Sequence, residues 1–499
     1  MTSVLNRLVA GPPEPGHRLR VVRLDGEETV ALPELWAMAG RVAAALADRG
    51  LRRGDRIGIV SRNCLEWLLL DLAALRLGLV TAGFEAGSVK PGRELAEDYD
   101  LRLVFTDEPG GEPGVLSIGE VRALAGGVSE PDLPPVTYGP GDVTTLKFTS
   151  GSTGRPKGLG ATAGSIDSSL RAVQRMFAHG EGDDLFVFLP LSLLQQRYWV
   201  YSALVFGHDV TVGTYEAAFV ALARTRPTVV MGVPAFFETA ARQIRAKART
   251  RPLAEAARAV FGDRIRYLWT GSAPASAAVL EFFGEAGLPL YEGYGLNETC
   301  IVTKNHPGAH RVGSVGKVLA GKEVLIDEHG VVSVRSDFPV NTAYAYAAPG
   351  ESQRVFGADG VVRTGDLGRF DEDGFLYILG RADDVIVLDN AKKVVVRPIE
   401  EHLRTSHAIE ECVVVSADRA HLVAVVSPAG EPDEAAIAAQ LAATNAAFGR
   451  DEQIRKVVIA RPFSVAGETL TSQFKPRRNR ILELYRAEIV DNRGGIHAG

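Results

Sequence analysis

The chain has 499 residues, more than one hydrophobic core usually supports, so two or more domains are expected. Its 55 lysines and arginines against 61 aspartates and glutamates leave a net charge of -6, which attracts neither nucleic acid nor an anionic membrane and points to small ligands. Cys64, Cys300 and Cys412 have neither metal-ligand spacing nor an even disulfide framework, as in a reduced cytoplasmic protein, and burial is their expected role.

The opening MTSVLNRLVAGPPEPG lacks the apolar segment of a signal peptide, and no run of about 18 uncharged apolar residues follows, so no integral membrane association is expected. Helical periodicity in LPELWAMAGRVAAALADRG gives way to the strand candidate DRIGIVS, and LEWLLLDLAALRLG precedes LRLVFTDE. This alternation implies α/β layers. The Pro- and Gly-rich stretch from DEPGGEPG to YGPGD reads as a surface connection. It leads into FTSGSTGRPKG, Phe148 to Gly158, where glycines, hydroxyls and the cation Lys157, with Arg155 two residues before it, make the ingredients of a phosphate cradle. A Walker A loop is excluded, because Pro156 precedes Lys157 and Gly158 follows it. Further on, FDEDGFLYILGR predicts a hairpin with DEDG as its turn and Phe375, Tyr377 and Leu379 on one face. CVVVSAD and LVAVVSP are buried-strand candidates, EAAIAAQLAATNAAF a helix after them, and the final DNRGGIHAG a frayed tail.

Four of these stretches carry a resemblance: TSGSTGRPKG at Thr149 to Gly158, YEGYGLNET at Tyr291 to Thr299, RTGDLGRFDEDGFLYILGRADDVIVL at Arg363 to Leu388, and LTSQFKPRRNRI at Leu470 to Ile481. Their order and spacing resemble, across most of the chain, the core motifs of adenylate-forming enzymes: acyl-CoA synthetases, peptide-synthetase adenylation domains and luciferases. FLPLSLLQQR and LTSQFKPRRNRI look most like the long-chain fatty acyl-CoA synthetase branch. The resemblance implies an α/β fold with a large multi-sheet N-terminal domain, residues 1–383, and a small mobile α+β C-terminal domain, residues 384–499, hinged at Asp383. It also implies ligation of a hydrophobic carboxylic acid to coenzyme A through an acyl-adenylate, with ATP or AMP bound, Mg²⁺ as cofactor and coenzyme A as co-substrate.

Activating a carboxylic acid joins two anions, the carboxylate and the α-phosphate, so charge must be neutralised where they meet. The resemblance implies that Thr149, Ser150, Gly151, Ser152, Thr153 and Lys157 hold the β- and γ-phosphates. Gly271, Ser272, Tyr294, Gly295 and Asn297 would complete the nucleotide site, with Tyr294 stacked on adenine. Glu298 matches the Mg²⁺ ligand, Asp366 the carboxylate on the ribose hydroxyls, Arg381 a partner of ribose or phosphate, and Lys475 the lysine bridging substrate carboxylate and α-phosphate. Glu298 and Lys475 are the implied catalytic pair; Arg477, Arg478 and Arg480 read as a basic surface patch, with contact to the phosphates of coenzyme A as the alternative.

Leu193, Gln196, Gly232, Val233 and Phe236 would line the acyl pocket, joined by Trp199 and Tyr201, while Asn390, Ala391 and Lys392 would line the coenzyme A tunnel. The chain departs from the family pattern at Leu193 and Ala163, where that pattern has His, and at Gln196 (Glu in the pattern), Asn297 (Thr) and Ala391 (Gly). These departures leave two readings open: a pocket reshaped for an unusual hydrophobic acid, or an enzyme that only transfers a preformed acyl-adenylate, made by a partner enzyme, to coenzyme A. An acyl-AMP ligase loading a carrier protein, and a non-catalytic nucleotide-binding relative, stand as further alternatives.

Overall fold

The computed structural model describes residues 3–126, 133, 135–149, 157–417, 419–471, 474–491 and 495–497, without the side chains of Ala125 and Thr149. The chain divides into two compact units. The first comprises Met1–Ala275, Val279–Leu325 and Ser333–Arg363; the second comprises Thr364–Gly499 with the short pieces Ser276–Ala278 and Ile326–Val332. A four-stranded sheet comprises Lys322–Ile326, Val331–Ser336, Val361–Phe370 and Leu376–Arg381 in that order.

In the first unit a nine-stranded sheet runs in the order Lys317–Val318, Cys300–Lys304, Leu290–Leu296, Tyr267–Thr270, Val229–Gly232, Asp184–Val187, Asp209–Gly213, Arg18–Val22, Glu27–Ala31. A six-stranded sheet runs Val115–Ser117, Leu103–Thr106, Arg56–Val60, Val80–Phe84, Val143–Thr149, Lys157–Thr162. Its last two strands pair antiparallel, Thr149 opposite Lys157, so the phosphate-loop string connects a hairpin. Inner-face residues of both sheets, such as Val21 and Ile57, share one core with the helices Leu65–Leu77, Ala163–Phe177 and Leu194–Phe206. Leu65–Leu77 is apolar around nearly its whole circumference because it is covered on all sides, and a positive-φ Gly78 ends it. A second core, rich in phenylalanine, lies with the helices Ala218–Thr225, Pro234–Ala248, Leu253–Phe261 and Ala277–Glu285.

The second unit contains a four-stranded sheet, Ile409–Val415, Leu422–Pro428, Ile454–Ile459, Ile496–His497, and the helix Glu434–Ala447, whose N-cap Asp433 accepts from the Ala436 N–H at 3.0 Å. Three sequence expectations change here. The terminal DNRGGIHAG is not wholly a frayed tail: Ile496 and His497 pair with Val457 and Lys456. That approach needs glycine, since a Cβ on Gly495 would lie 2.4 Å from the Val457 carbonyl oxygen. The Pro- and Gly-rich stretch is more than a surface connection, for it supplies the edge strand Val115–Ser117 and the buried Tyr138, whose hydroxyl donates to the Leu75 carbonyl at 2.6 Å. The DEDG hairpin forms, but Leu379 is exposed and Leu376 fully buried, because a bulge at Leu367/Gly368 shifts the register.

A buried polar network ties the layers of the first unit. Arg197, without solvent access, donates to Asp71 at 2.8 Å, to Thr81 at 3.1 Å and to Thr145 at 2.9 Å, and Tyr201 donates to the other Asp71 oxygen at 2.5 Å. Asp71→Ala would leave the guanidinium uncompensated, so a loss of about 3–5 kcal/mol is expected in denaturant unfolding. Acid sensitivity should also follow. Burial pushes His179 down to about 3 and His208 down to about 4, so the folded protein refuses protons that the unfolded chain accepts near 6.5. Their stabilisation is present above about pH 6.5 and lost as pH falls from there. Asp184, pushed up to about 6 by burial, opposes this with one proton against two. Melting temperature measured from pH 7 to pH 5 should fall, and more shallowly in a His179→Gln, His208→Gln variant.

Candidate functional site

In the first unit, the phosphate-loop hairpin brings Lys157 to the start of a strand, where its Nζ pairs with Glu351 Oε1 at 2.8 Å and lies 5.3 Å from the centre of the Tyr344 ring. The segment carrying Tyr344 is fastened to that strand: Gly158 N–H donates to Ala345 O at 2.9 Å, and Ala345 N–H to Gly158 O at 2.8 Å. Tyr344 hydroxyl then donates to Glu298 Oε1 at 2.7 Å. Burial, with the Glu298 and Glu351 carboxylates nearby, pushes the phenol above its usual range and keeps it a donor. Lys157 and Glu298 therefore belong to one connected polar cluster. Ser150, Gly151, Ser152 and Thr153 lie outside the described residues, as does the side chain of Thr149.

Glu298 sits in the turn between the strands Leu290–Leu296 and Cys300–Lys304. The turn is tight, since a Cβ on Gly295 would lie 2.0 Å from the Cys300 carbonyl oxygen, and Cys300 itself has φ 58°. This gives Gly295 a steric reason beside its expected nucleotide role. Tyr294 lies opposite Thr303 at a bulge in the same pair. Ser272, after Gly271, is exposed and also in the left-handed region at φ 67°. Two lysines, Lys147 buried and Lys322 half-buried, hold the turn from outside: Lys147 Nζ donates to the Asn297 carbonyl, and Lys322 Nζ donates to Thr299 O at 2.9 Å and Ser336 Oγ at 2.8 Å. Neither lysine was among the sequence-derived candidates. Lys147 left a trace, a cation inside the strand TTLKFT; Lys322, Tyr344 and Glu351 left none.

The donor set suits Mg²⁺. That ion takes one or two protein carboxylates and fills its shell with substrate phosphates and water. Glu298 provides one carboxylate with Oε1 oriented, and no group of three or more His, Cys, Asp or Glu forms a complete cage among the described residues.

The acyl-pocket candidates fall into two places. Leu193 precedes the helix Leu194–Phe206 and Gln196 lies in its first turn, where the buried Gln196 Oε1 has no hydrogen-bond partner among the described residues. Gly232, Val233 and Phe236 belong to the phenylalanine core, where a Cβ on Gly232 would meet Phe236 at 3.0 Å and Phe188 at 3.2 Å. Phe188, in the segment leading to Leu193, packs on Phe236 with ring centres 4.5 Å apart. Trp199 and Tyr201 are fully buried core residues.

In the second unit, Asp366 and Arg381 face each other across the hairpin; Arg381 donates to Asp366 Oδ1 at 3.1 Å, to Thr364 O at 2.7 Å and to Asp383 Oδ1 at 3.0 Å. Gly365, at φ 73°, lets the guanidinium lie against the backbone: a Cβ there would meet Arg381 Nη2 at 2.8 Å. Lys475 joins the pair. Burial and the Arg381 charge hold its ammonium below the usual lysine range, and the Asp366 carboxylate opposes them. Arg478 is not a surface-patch residue, because it binds Glu400 through two hydrogen bonds, at 2.7 and 3.0 Å. Asn390, Ala391 and Lys392 form a turn: Ala391 N–H donates to Leu388 O at 3.0 Å, and Asn390 Nδ2 to Asp451 Oδ1 at 2.9 Å.

Comparison with known proteins follows these clusters. The sequence profile described as AMP-binding enzyme matches residues 13–336, and that described as AMP-binding enzyme C-terminal domain matches residues 383–492. The chain is 29% identical to the long-chain-fatty-acid–CoA ligase FadD15 of Mycobacterium bovis over 455 residues, covering 77% of this chain and 75% of that one. It is 27% identical to the 2-succinylbenzoate–CoA ligase of Geobacillus kaustophilus over 450 residues, covering 84% and 87%. In fold it is similar to the o-succinylbenzoate CoA synthetase MenE of Bacillus subtilis in complex with its acyl-adenylate, with TM-score 0.79, 22% identity and 99% of each chain covered. ATP-bound MatB of Rhodopseudomonas palustris gives TM-score 0.80 at 24% identity, covering 98% and 99%.

Ala391 has φ 63°, the conformation in which glycine is favoured, which is a physical reason for the glycine of the family pattern; nothing in the structure explains the alanine. Ala391→Gly is expected to stabilise the second unit by up to about 1 kcal/mol. Urea unfolding of the two proteins checks this.

Proposed function

The chain belongs to the AMP-binding enzyme family, and on that premise we propose that it is an acid–thiol ligase joining a hydrophobic carboxylic acid to coenzyme A through an acyl-adenylate. In the first half-reaction a carboxylate oxygen attacks the α-phosphorus of ATP, and the bond to pyrophosphate breaks. In the second, the thiol of coenzyme A attacks the acyl carbon, AMP leaves and the thiol proton passes to solvent.

What supports this reading is the Asp366–Arg381 pair in the second unit, whose two charges also act on Lys475. Asp366 presents a carboxylate to the ribose hydroxyls, Arg381 a guanidinium to ribose or phosphate, and Lys475 an ammonium between the two anions that must meet. In the first unit Lys157 and the phosphate loop take the β- and γ-phosphates. Gly271, Ser272, Tyr294, Gly295 and Asn297 complete the nucleotide site. Glu298 holds Mg²⁺, which when bound neutralises charge on the departing pyrophosphate.

The acyl chain lies along Leu193, Gln196, Gly232, Val233 and Phe236, and pantetheine passes Asn390, Ala391 and Lys392. Asp383, the first residue of the match to the C-terminal domain, is the hinge between residues 1–383 and 384–499. No helix among the described residues is long and apolar enough to cross a membrane, and we assign the reaction to the cytoplasm.

Acyl-CoA formation, read by mass spectrometry with a panel of hydrophobic acids, tests the reading in two arms: free acid with ATP and Mg²⁺, and the matching synthetic acyl-adenylate, each with coenzyme A. Product is expected in both. Product from the adenylate alone would assign the first half-reaction to a partner enzyme, and acyl transfer to a phosphopantetheinyl carrier but not to coenzyme A would mark a carrier-loading ligase. Lys475→Ala should lower product in the free-acid arm by about 10²–10³-fold, and far less in the adenylate arm.

A further inference from the structure

We propose that Lys147, Lys322 and Tyr344 are positioning residues that together hold the Glu298 turn in the shape in which its carboxylate meets a metal–nucleotide. This rests on the reading of Glu298 given above. The three side chains come from three separate elements: the strand leading into the phosphate loop, the strand Lys322–Ile326 and the segment fastened at Gly158. They converge on three consecutive residues, taking the Asn297 carbonyl, a Glu298 carboxylate oxygen and the Thr299 carbonyl.

The turn needs outside support. Its own bonds are short-range, from Leu296 N–H to Thr299 Oγ1 at 3.0 Å, from Thr299 N–H to Leu296 O at 3.3 Å and from Thr299 Oγ1 to Cys300 O at 3.1 Å, and it ends at Cys300 in the left-handed region. Lysine is a costly choice for such support. Lys147 is only 5% exposed, and burial holds both ammonium groups below their usual range, with Cys300 opposing for both and Glu298 for Lys147. An apolar side chain would pack at either position without that penalty. What the ammonium groups add is direction: each binds the carbonyl of a residue next to Glu298, fixing the planes of the Asn297–Glu298 and Thr299–Cys300 peptides. Tyr344 then takes Oε1 and leaves Oε2 for a cation. Through its neighbour Ala345, and through Glu351 on Lys157, the same segment registers Glu298 against Lys157 and Gly158. Partners of this outer kind typically govern metal affinity by about 10–100-fold.

The test compares the full-length wild type with Lys147→Met, Lys322→Met and Tyr344→Phe. Mn²⁺ binding in the presence of ATP is read by electron paramagnetic resonance, and the two half-reactions are assayed separately. Lys456→Met serves as control, since Lys456 is a buried lysine bound to the Glu488 and Asp491 carbonyls in the second unit.

Mn²⁺ affinity is expected to fall at least about tenfold in both lysine variants, while acyl transfer from a preformed adenylate changes less than about threefold. Tyr344→Phe deletes a single oxygen, so it decides the matter if a lysine variant does not fold; its Mn²⁺ affinity should fall severalfold. Unchanged Mn²⁺ affinity in the folded variants, or equal losses in both half-reactions matching those of Lys456→Met, would overturn the proposal. A wild type that makes no acyl-adenylate from any acid would refute the ligase reading instead, and the Mn²⁺ comparison would still decide this one.

Discussion

A buried cation must find a hydrogen-bond acceptor, and much of the first unit is arranged around that requirement. Arg197 reaches Thr145 and Lys147 reaches the Asn297 carbonyl, so two positions of one strand, Val143–Thr149, are bound to fully buried positive charge. That strand leads directly into the phosphate loop. Its neighbour in the hairpin begins at Lys157, itself paired with Glu351. The position of the loop's two ends is thus set by polar contacts in a low-dielectric interior, where a misplaced charge costs several kcal/mol.

The same economy of partners appears in the second unit. Arg381 is shared among Thr364, Asp366 and Asp383, and Arg478 is spent on Glu400 and the Val414 carbonyl. The basic string KPRRNR therefore does not act as one patch. Lys475 stands beside a carboxylate and a guanidinium, whereas Arg478 stabilises the interior of its own unit. Charge alone would not have separated these roles; burial and partners do.

Elements with a strong local pattern were legible in the sequence. The helices Leu32–Asp48 and Leu65–Leu77 and the strands Arg56–Val60, Ile409–Val415 and Leu422–Pro428 stand where periodicity placed them, because side-chain spacing and burial agree. The edge strands Val115–Ser117 and Ile496–His497 were missed, since two or three residues carry too little pattern and depend on a neighbour to form. In the hairpin, period-two alternation predicted one face, and a bulge that no composition announces changed it.

The sequence by itself determined the chemical inventory: the glycine-rich string, the lone lysines at 157 and 475, the carboxylates at 298 and 366, and the order that marks the family. Such features are local, so a few neighbouring residues suffice to specify them. Tertiary structure alone decided which groups those residues meet. Lys147 and Asn297 are 150 residues apart, and Tyr344 and Glu298 are 46 apart. No local pattern encodes an encounter across such separations; packed sheets and the need to satisfy buried polar groups bring it about.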